Sequence, residues 1–125
     1  MIAVTLPYPP SANRLWRAVN GRNIKSAEYR QWLVKARACI PVEARGKITG
    51  PYFMAVRADR PDRRARDLTN LLKPTEDALL FDKAQPLLKG VVRDDSDAAG
   101  VAIVWSDREP GKGAEIHIEL EEVPA

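Results

Sequence analysis

The sequence predicts an α+β domain: a mixed β-sheet carrying a small N-terminal hairpin, with two helices packed on it. Three observations point there. Residues 114–122, "AEIHIELEE", alternate strictly, so Ile116, Ile118 and Leu120 share one face of a half-buried strand. Tyr29, Trp32, Leu33, Ala36 and Ile40 recur at helical spacing. The order of elements read along the chain is strand, hairpin, helix, strand, helix, strand, strand. At 125 residues, 45% hydrophobic and 30% charged, the chain has the profile of one soluble globular domain spanning 1–125.

Each element has its own signals. Residues 2–6, "IAVTL", form a strand, and Pro7, Pro9 and Pro10 end it. Asn20-Gly21 is a two-residue hairpin signal in a segment carrying Arg14, Arg17, Arg22 and Lys25. Ser26 is an N-cap for the first helix, which Pro41 stops. Cys39, on that helix, reads as a buried small apolar residue. Residues 50–58 form a strand with Tyr52, Met54 and Val56 on one face. A second helix is predicted from about Asn70 to Phe81. Leu71, Leu72, Thr75, Ala78 and Leu79 share one arc, and Asn70, Lys73 and Asp77 the opposite one. Pro74 fits only near its first turn. Residues 82–93 read as a loop, followed by an acidic turn and a strand ending at Trp105. His117 falls on the outer face of the last strand and reads as a surface residue.

Charge is segregated. The net charge is only +3, yet "RADRPDRRAR", residues 57–66, holds five arginines and two aspartates. From Asp107 onward, six acids face Arg108 and Lys112. The basic loop is either solvated surface or a phosphate-binding element, and arginine favours phosphate because its planar fork binds oxygens bidentately. There is no run of 18 apolar residues and no signal-peptide pattern at the N-terminus, and the single cysteine forbids an internal disulfide. A cytoplasmic protein with no membrane partner is expected.

Two groups of acids suggest chemistry: Asp67 at the mouth of the second helix, and Asp94, Asp95 and Asp97 in "RDDSD". Such a turn is often no more than a solvated Asx-type turn. Folded against Asp67, it would do more. Two carboxylates about 4 Å apart repel by roughly 4 kcal/mol at an effective dielectric of ~20, so they must bind a cation or a proton. Hard oxygen ligands suit Mg²⁺, which polarises a phosphodiester and activates water. Lys73 either stabilises charge on a scissile phosphate or merely pairs with Asp77 at i, i+4. No zinc pattern, glycine-rich phosphate loop, serine elbow or dinucleotide fingerprint occurs, so no small-molecule cofactor is expected.

The motifs resemble those of the RusA family of Holliday-junction resolvases, small endodeoxyribonucleases of bacteria and their prophages. "LPYPPSANRLWR", "GRNIKSAEYRQW", "PDRRARDLTNLLKPTEDAL" and "RDDSD" occur in the family's order. The resemblance implies a homodimer that binds four-way or branched DNA and makes paired, Mg²⁺-dependent nicks, with Mn²⁺ able to substitute. It implies Asp67, Lys73 and Asp95 as catalytic residues, with Asp67 and Asp95 on the metal and Asp94 a further candidate ligand. Asn13, Arg14, Arg63, Arg64, Arg66 and Asn70 would meet DNA. Thr69 stands where the family has an acid, and its hydroxyl offers the metal or a bound water no charge. Asp77, Asp94 or Asp97 would then have to compensate, metal affinity would fall, or the protein would bind junctions and cut them poorly.

Overall fold

Short apolar alternations, broken by turn residues, lay the chain into strands around one core. The computed structural model describes residues 1–80 and 90–124. Phe81, predicted to close the second helix, and most of the predicted 82–93 loop lie outside the described residues.

The first strand, β1 (Ile2–Pro7), buries Val4 and Leu6 and stops at proline. The hairpin follows as β2 (Trp16–Val19) and β3 (Arg22–Lys25). Asn20 and Gly21 take φ values of 51° and 75°. Both central residues are therefore left-handed, as a type I′ turn requires. Ser26 caps α1 (Ala27–Ala38), its Oγ accepting the Tyr29 N–H at 3.0 Å. Tyr29, Trp32, Leu33 and Ala36 form the buried stripe of α1. Cys39 corrects the sequence reading: it caps the C-terminus of α1 and is exposed. The helix ends one residue before it, and Ile40 takes the next buried position.

The main sheet consists of β1, β4 (Tyr52–Ala58), β5 (Ala98–Trp105) and β6 (Glu115–Glu122), in the order β1-β6-β4-β5. Strand β6 runs antiparallel to both its neighbours, and β4 runs parallel to β5. A parallel pair needs a long crossover, and the crossover here contains the second helix. That helix begins as a 3₁₀ turn, Leu68–Leu71, and continues as α2 (Leu72–Leu79). Pro74 is the third residue of α2, where its missing N–H costs no helical bond.

Leu6, Tyr52, Met54, Val56, Ile118 and Leu120 turn one face of the sheet into the core beneath α1 and α2. The carbonyl of Leu79 accepts the amides of Val91 and Val92 at 2.8 and 3.0 Å, fastening the end of α2 to the chain that leads into the acidic turn. Gly90 packs so closely there that a Cβ would collide with the carbonyls of Leu79 and Leu80. The other face of the sheet is uncovered among the described residues, with Phe53 49% and Val104 55% exposed. His117 lies on this outer side, as predicted, but it is half-buried because its ring meets Asp59.

Candidate active site

Asp67 sits at the N-cap of the 3₁₀ turn with extended backbone angles, and its carboxylate makes no capping bond. It is exposed and shares a cleft of about 160 Å³ with Tyr8, Asn13, Arg66 and Asn70. Arg66 is held in place by Asp62, which accepts from its Nε at 3.2 Å and its terminal nitrogen at 2.7 Å. That fork and the Arg64 amide keep the Asp62 carboxyl below its ordinary range. Thr69 is exposed in the same 3₁₀ turn, which lies against β5.

The acidic turn is a 3₁₀ turn, Asp95–Asp97, capped by Asp94, whose side chain accepts the Ser96 N–H at 2.9 Å. Asp97 pairs with Arg93 at 3.0 Å. The fold brings this turn toward α2. Asp95 is close enough to Glu76 and Lys73 for their charges to interact. Burial and then the Asp95 charge push the Glu76 carboxyl up. Burial also raises the Tyr52 phenol, to about 12, with Glu76, Asp95, Asp97 and Asp94 adding to the shift. The acidic turn and Glu76 thus lie within charge range of the start of β4.

Lys73 places its Nζ 3.0 Å from Asp77 Oδ1. Its amine is held above the ordinary value, chiefly by that hydrogen bond, with Asp95 and Glu76 contributing. Asp77 was expected on a solvated helix face, yet it is 6% exposed. Its other oxygen accepts from the Tyr29 hydroxyl at 2.5 Å, and Arg37 donates to its backbone carbonyl at 2.9 Å. The reason is tertiary: α1 covers the Asp77 end of the polar face of α2 and leaves Lys73 open.

The other arginines expected to meet DNA lie open. Arg63 and Arg64 are 82% exposed in their side chains, with long contacts to Glu109 and Asp62 at 3.3 and 3.7 Å. Arg14 reaches Glu28 at 3.9 Å. Such exposed pairs hold little energy and release readily to a phosphate.

Asp67 and Asp95 offer the hard oxygens a divalent cation prefers. Among the described residues no three His, Cys, Asp or Glu side chains converge on a point a metal could occupy. Mg²⁺ does not need such a cage, because it retains water and takes one or two carboxylates. By type the two carboxylates suit that ion, but they lie in different places: Asp67 in the cleft with Arg66 and Asn70, and Asp95 in the acidic turn, within charge range of Glu76 and Lys73. Two residues outside the sequence reading of the site come forward: Glu76 was not singled out, and Tyr29 was read as core alone.

The family model described as endodeoxyribonuclease RusA matches residues 7–120. The chain belongs to the RusA family. The crossover junction endodeoxyribonuclease RusA of Escherichia coli (strain K12) is 38% identical over 82 residues, which are 62% of this chain and 65% of that protein. The protein of the same name from Enterobacteria phage 82 is 38% identical over 79 residues, 61% of this chain and 64% of its own. The one from Enterobacteria phage HK97 is 32% identical over 126 aligned residues, 94% of each chain. The chain therefore spans about 65% of the length of the Escherichia coli relative it matches and nearly all of the HK97 protein. No helix among the described residues is long and apolar enough to cross a membrane.

Proposed function

We propose that this chain is a Mg²⁺-dependent, structure-selective endodeoxyribonuclease that resolves four-way DNA junctions by paired nicks in the bacterial cytoplasm, in a host or prophage role. The observation that supports this reading is the acidic turn's proximity to α2, with Asp95 within charge range of Lys73, in a chain of the RusA family. Asp67 and Asp95 would hold Mg²⁺, or Mn²⁺ in its place, with Asp94 as a neighbouring ligand. Bound there, the ion supplies positive charge at the scissile phosphate and an activated water. Lys73 faces the charge that develops on the phosphate. Arg14, Arg63, Arg64 and Arg66 grip backbone phosphates, and Asn13 and Asn70 hydrogen-bond beside them, which fixes register without reading sequence.

Mg²⁺ titration against a synthetic four-way junction tests the proposal. Nicking is expected with wild type and absent with Asp67→Asn. A folded wild-type protein that never nicks, at any Mg²⁺ or Mn²⁺ concentration, overturns it.

Thr69 supports a second reading, a junction-binding protein that cuts inefficiently. It brings no charge where the family has an acid. Neither Asp77 nor Asp97 is idle enough to replace that acid: Asp77 is bonded to Lys73 and Tyr29, and Asp97 to Arg93. On this reading wild type binds junctions with steep salt dependence and nicks little, and Thr69→Asp restores cutting.

Paired nicks call for two active sites, and the uncovered sheet face supports a homodimer. Phe53, Ala55, Ala102 and Val104 make its middle apolar. Arg57 lies beside His117 at one end of β4, while Glu119 and Glu121 lie opposite Ala55 and Phe53 toward the other. A two-fold axis through this face sets the basic end of one copy on the acidic end of the other, as an isologous contact requires. Sedimentation should give a dimer for wild type and a folded monomer for Phe53→Glu; a monomeric wild type removes the homodimer.

A further inference from the structure

We infer that Tyr29 and Asp77 are positioning residues that hold the Lys73 ammonium where it must act, an inference that rests on the role proposed above for Lys73. A lysine on an exposed helix face is a mobile charge on a four-carbon stem. An ordinary i, i+4 partner does little to fix it, since such pairs contribute only ~0.2–0.5 kcal/mol. Lys73 is 54% exposed in its side chain, but its partner is not ordinary: the Asp77 side chain is 8% exposed.

Asp77 has no freedom to follow the lysine. One carboxylate oxygen meets Lys73, and the other accepts from the Tyr29 hydroxyl. The peptide carbonyl of Asp77 is tied to Arg37. Tyr29 is itself fully enclosed, with 0% of its surface exposed. Its ring stacks on Trp32 at 6.1 Å and takes Trp16 edge-on at 5.9 Å. The chain of contacts thus runs from the packed interior of α1, through one hydroxyl and one carboxylate, to an amine at the surface. A core that needed only an aromatic ring at position 29 would be served by phenylalanine. The hydroxyl donates to Asp77, and Asp77 holds the amine.

The test compares wild type, Tyr29→Phe, Lys73→Met and the double variant in junction nicking, with junction affinity measured separately. Tyr29→Phe keeps the ring and should fold. Its kcat should fall about tenfold or more, because a misplacement near 1 Å can cost a factor of about 10², while junction affinity changes less than about twofold. In the Lys73→Met background the same change should cost nothing further. Full kcat in Tyr29→Phe, or an equal loss with and without Lys73, overturns the inference.

A second readout needs no activity: the NMR order parameter of the Lys73 Cε should drop in Tyr29→Phe and in Asp77→Asn. An unchanged value overturns the inference. If wild type does not nick, or Lys73→Met nicks at the wild-type rate, the proposed role of Lys73 fails on its own, and the order parameter still decides whether Tyr29 and Asp77 hold that side chain.

Discussion

Asp59 and Asp77 are both carboxylates buried in the same fold, and their partners differ in kind. Asp59 ends β4 at 3% exposure. It accepts from Ser106 Oγ at 2.7 Å and the Glu115 amide at 3.0 Å, and it meets the His117 ring at 3.2 Å, with Arg108 at 3.8 Å. These partners gather β4, the end of β5 and the start of β6 around one group. Burial alone would push its carboxyl up, but the bonds from Ser106, Glu115 and His117 outweigh that and leave it below its ordinary value. Asp77 has fewer partners, and one of them, Lys73, points outward. A buried charge whose hydrogen bonds tie three strands together secures the fold. A buried charge whose partner faces solvent can also orient that partner.

The contrast can be broken by substitution. The largest expected effect on stability is at Asp59. Asp59→Ala strips the Ser106 hydroxyl and Glu115 amide of their acceptor, at a cost of roughly 2–4 kcal/mol in urea unfolding. Asp77→Asn should reverse the pattern, with a loss of only about 1 kcal/mol in stability and a fall of about tenfold or more in junction nicking. If the two variants lose stability and activity in the same proportion, the distinction fails.

Acid sharpens it further. The pKa of Asp59 is lower folded than unfolded, so its ionised form stabilises the protein above pH ~4, and that contribution disappears as pH falls through the folded value. Asp59→Asn should therefore flatten the acid limb of stability below about pH 4, read by thermal melts across pH. The smallest effect is at Lys73, whose raised pKa has the opposite sign. Its contribution is present below pH ~10.4 and fades as pH rises through the folded value. With half its side chain in solvent, Lys73→Met should barely alter the alkaline limb.

The elements were legible where their signals are local. Asn20-Gly21 specifies its own turn, Ser26 caps its own helix, and the alternation from Ile116 to Leu120 declares a strand with one wet face. The candidate residues Asp67, Lys73 and Asp95 were legible as types and spacing. Glu76 was not, because its significance comes from Asp95 in a turn that only the fold brings near. Cys39 was misjudged because α1 ends at Ala38, and the residue that caps it stays exposed. The pairing of Tyr29 with Asp77 escaped for a different reason: they lie 48 positions apart, and Tyr29 alone fits a bland role, an aromatic in a core.

The amino-acid order by itself determined the strands, the hairpin, the capped helix and the inventory of acids and arginines, since each depends on backbone preferences and apolar period within a few residues. Which acids are buried, which are paired, and which side chain holds the surface lysine was decided only when α1 settled on α2 and residues 90–92 crossed the end of that helix. Desolvation and hydrogen-bond partnership depend on every group within a few ångströms, whatever its distance along the chain.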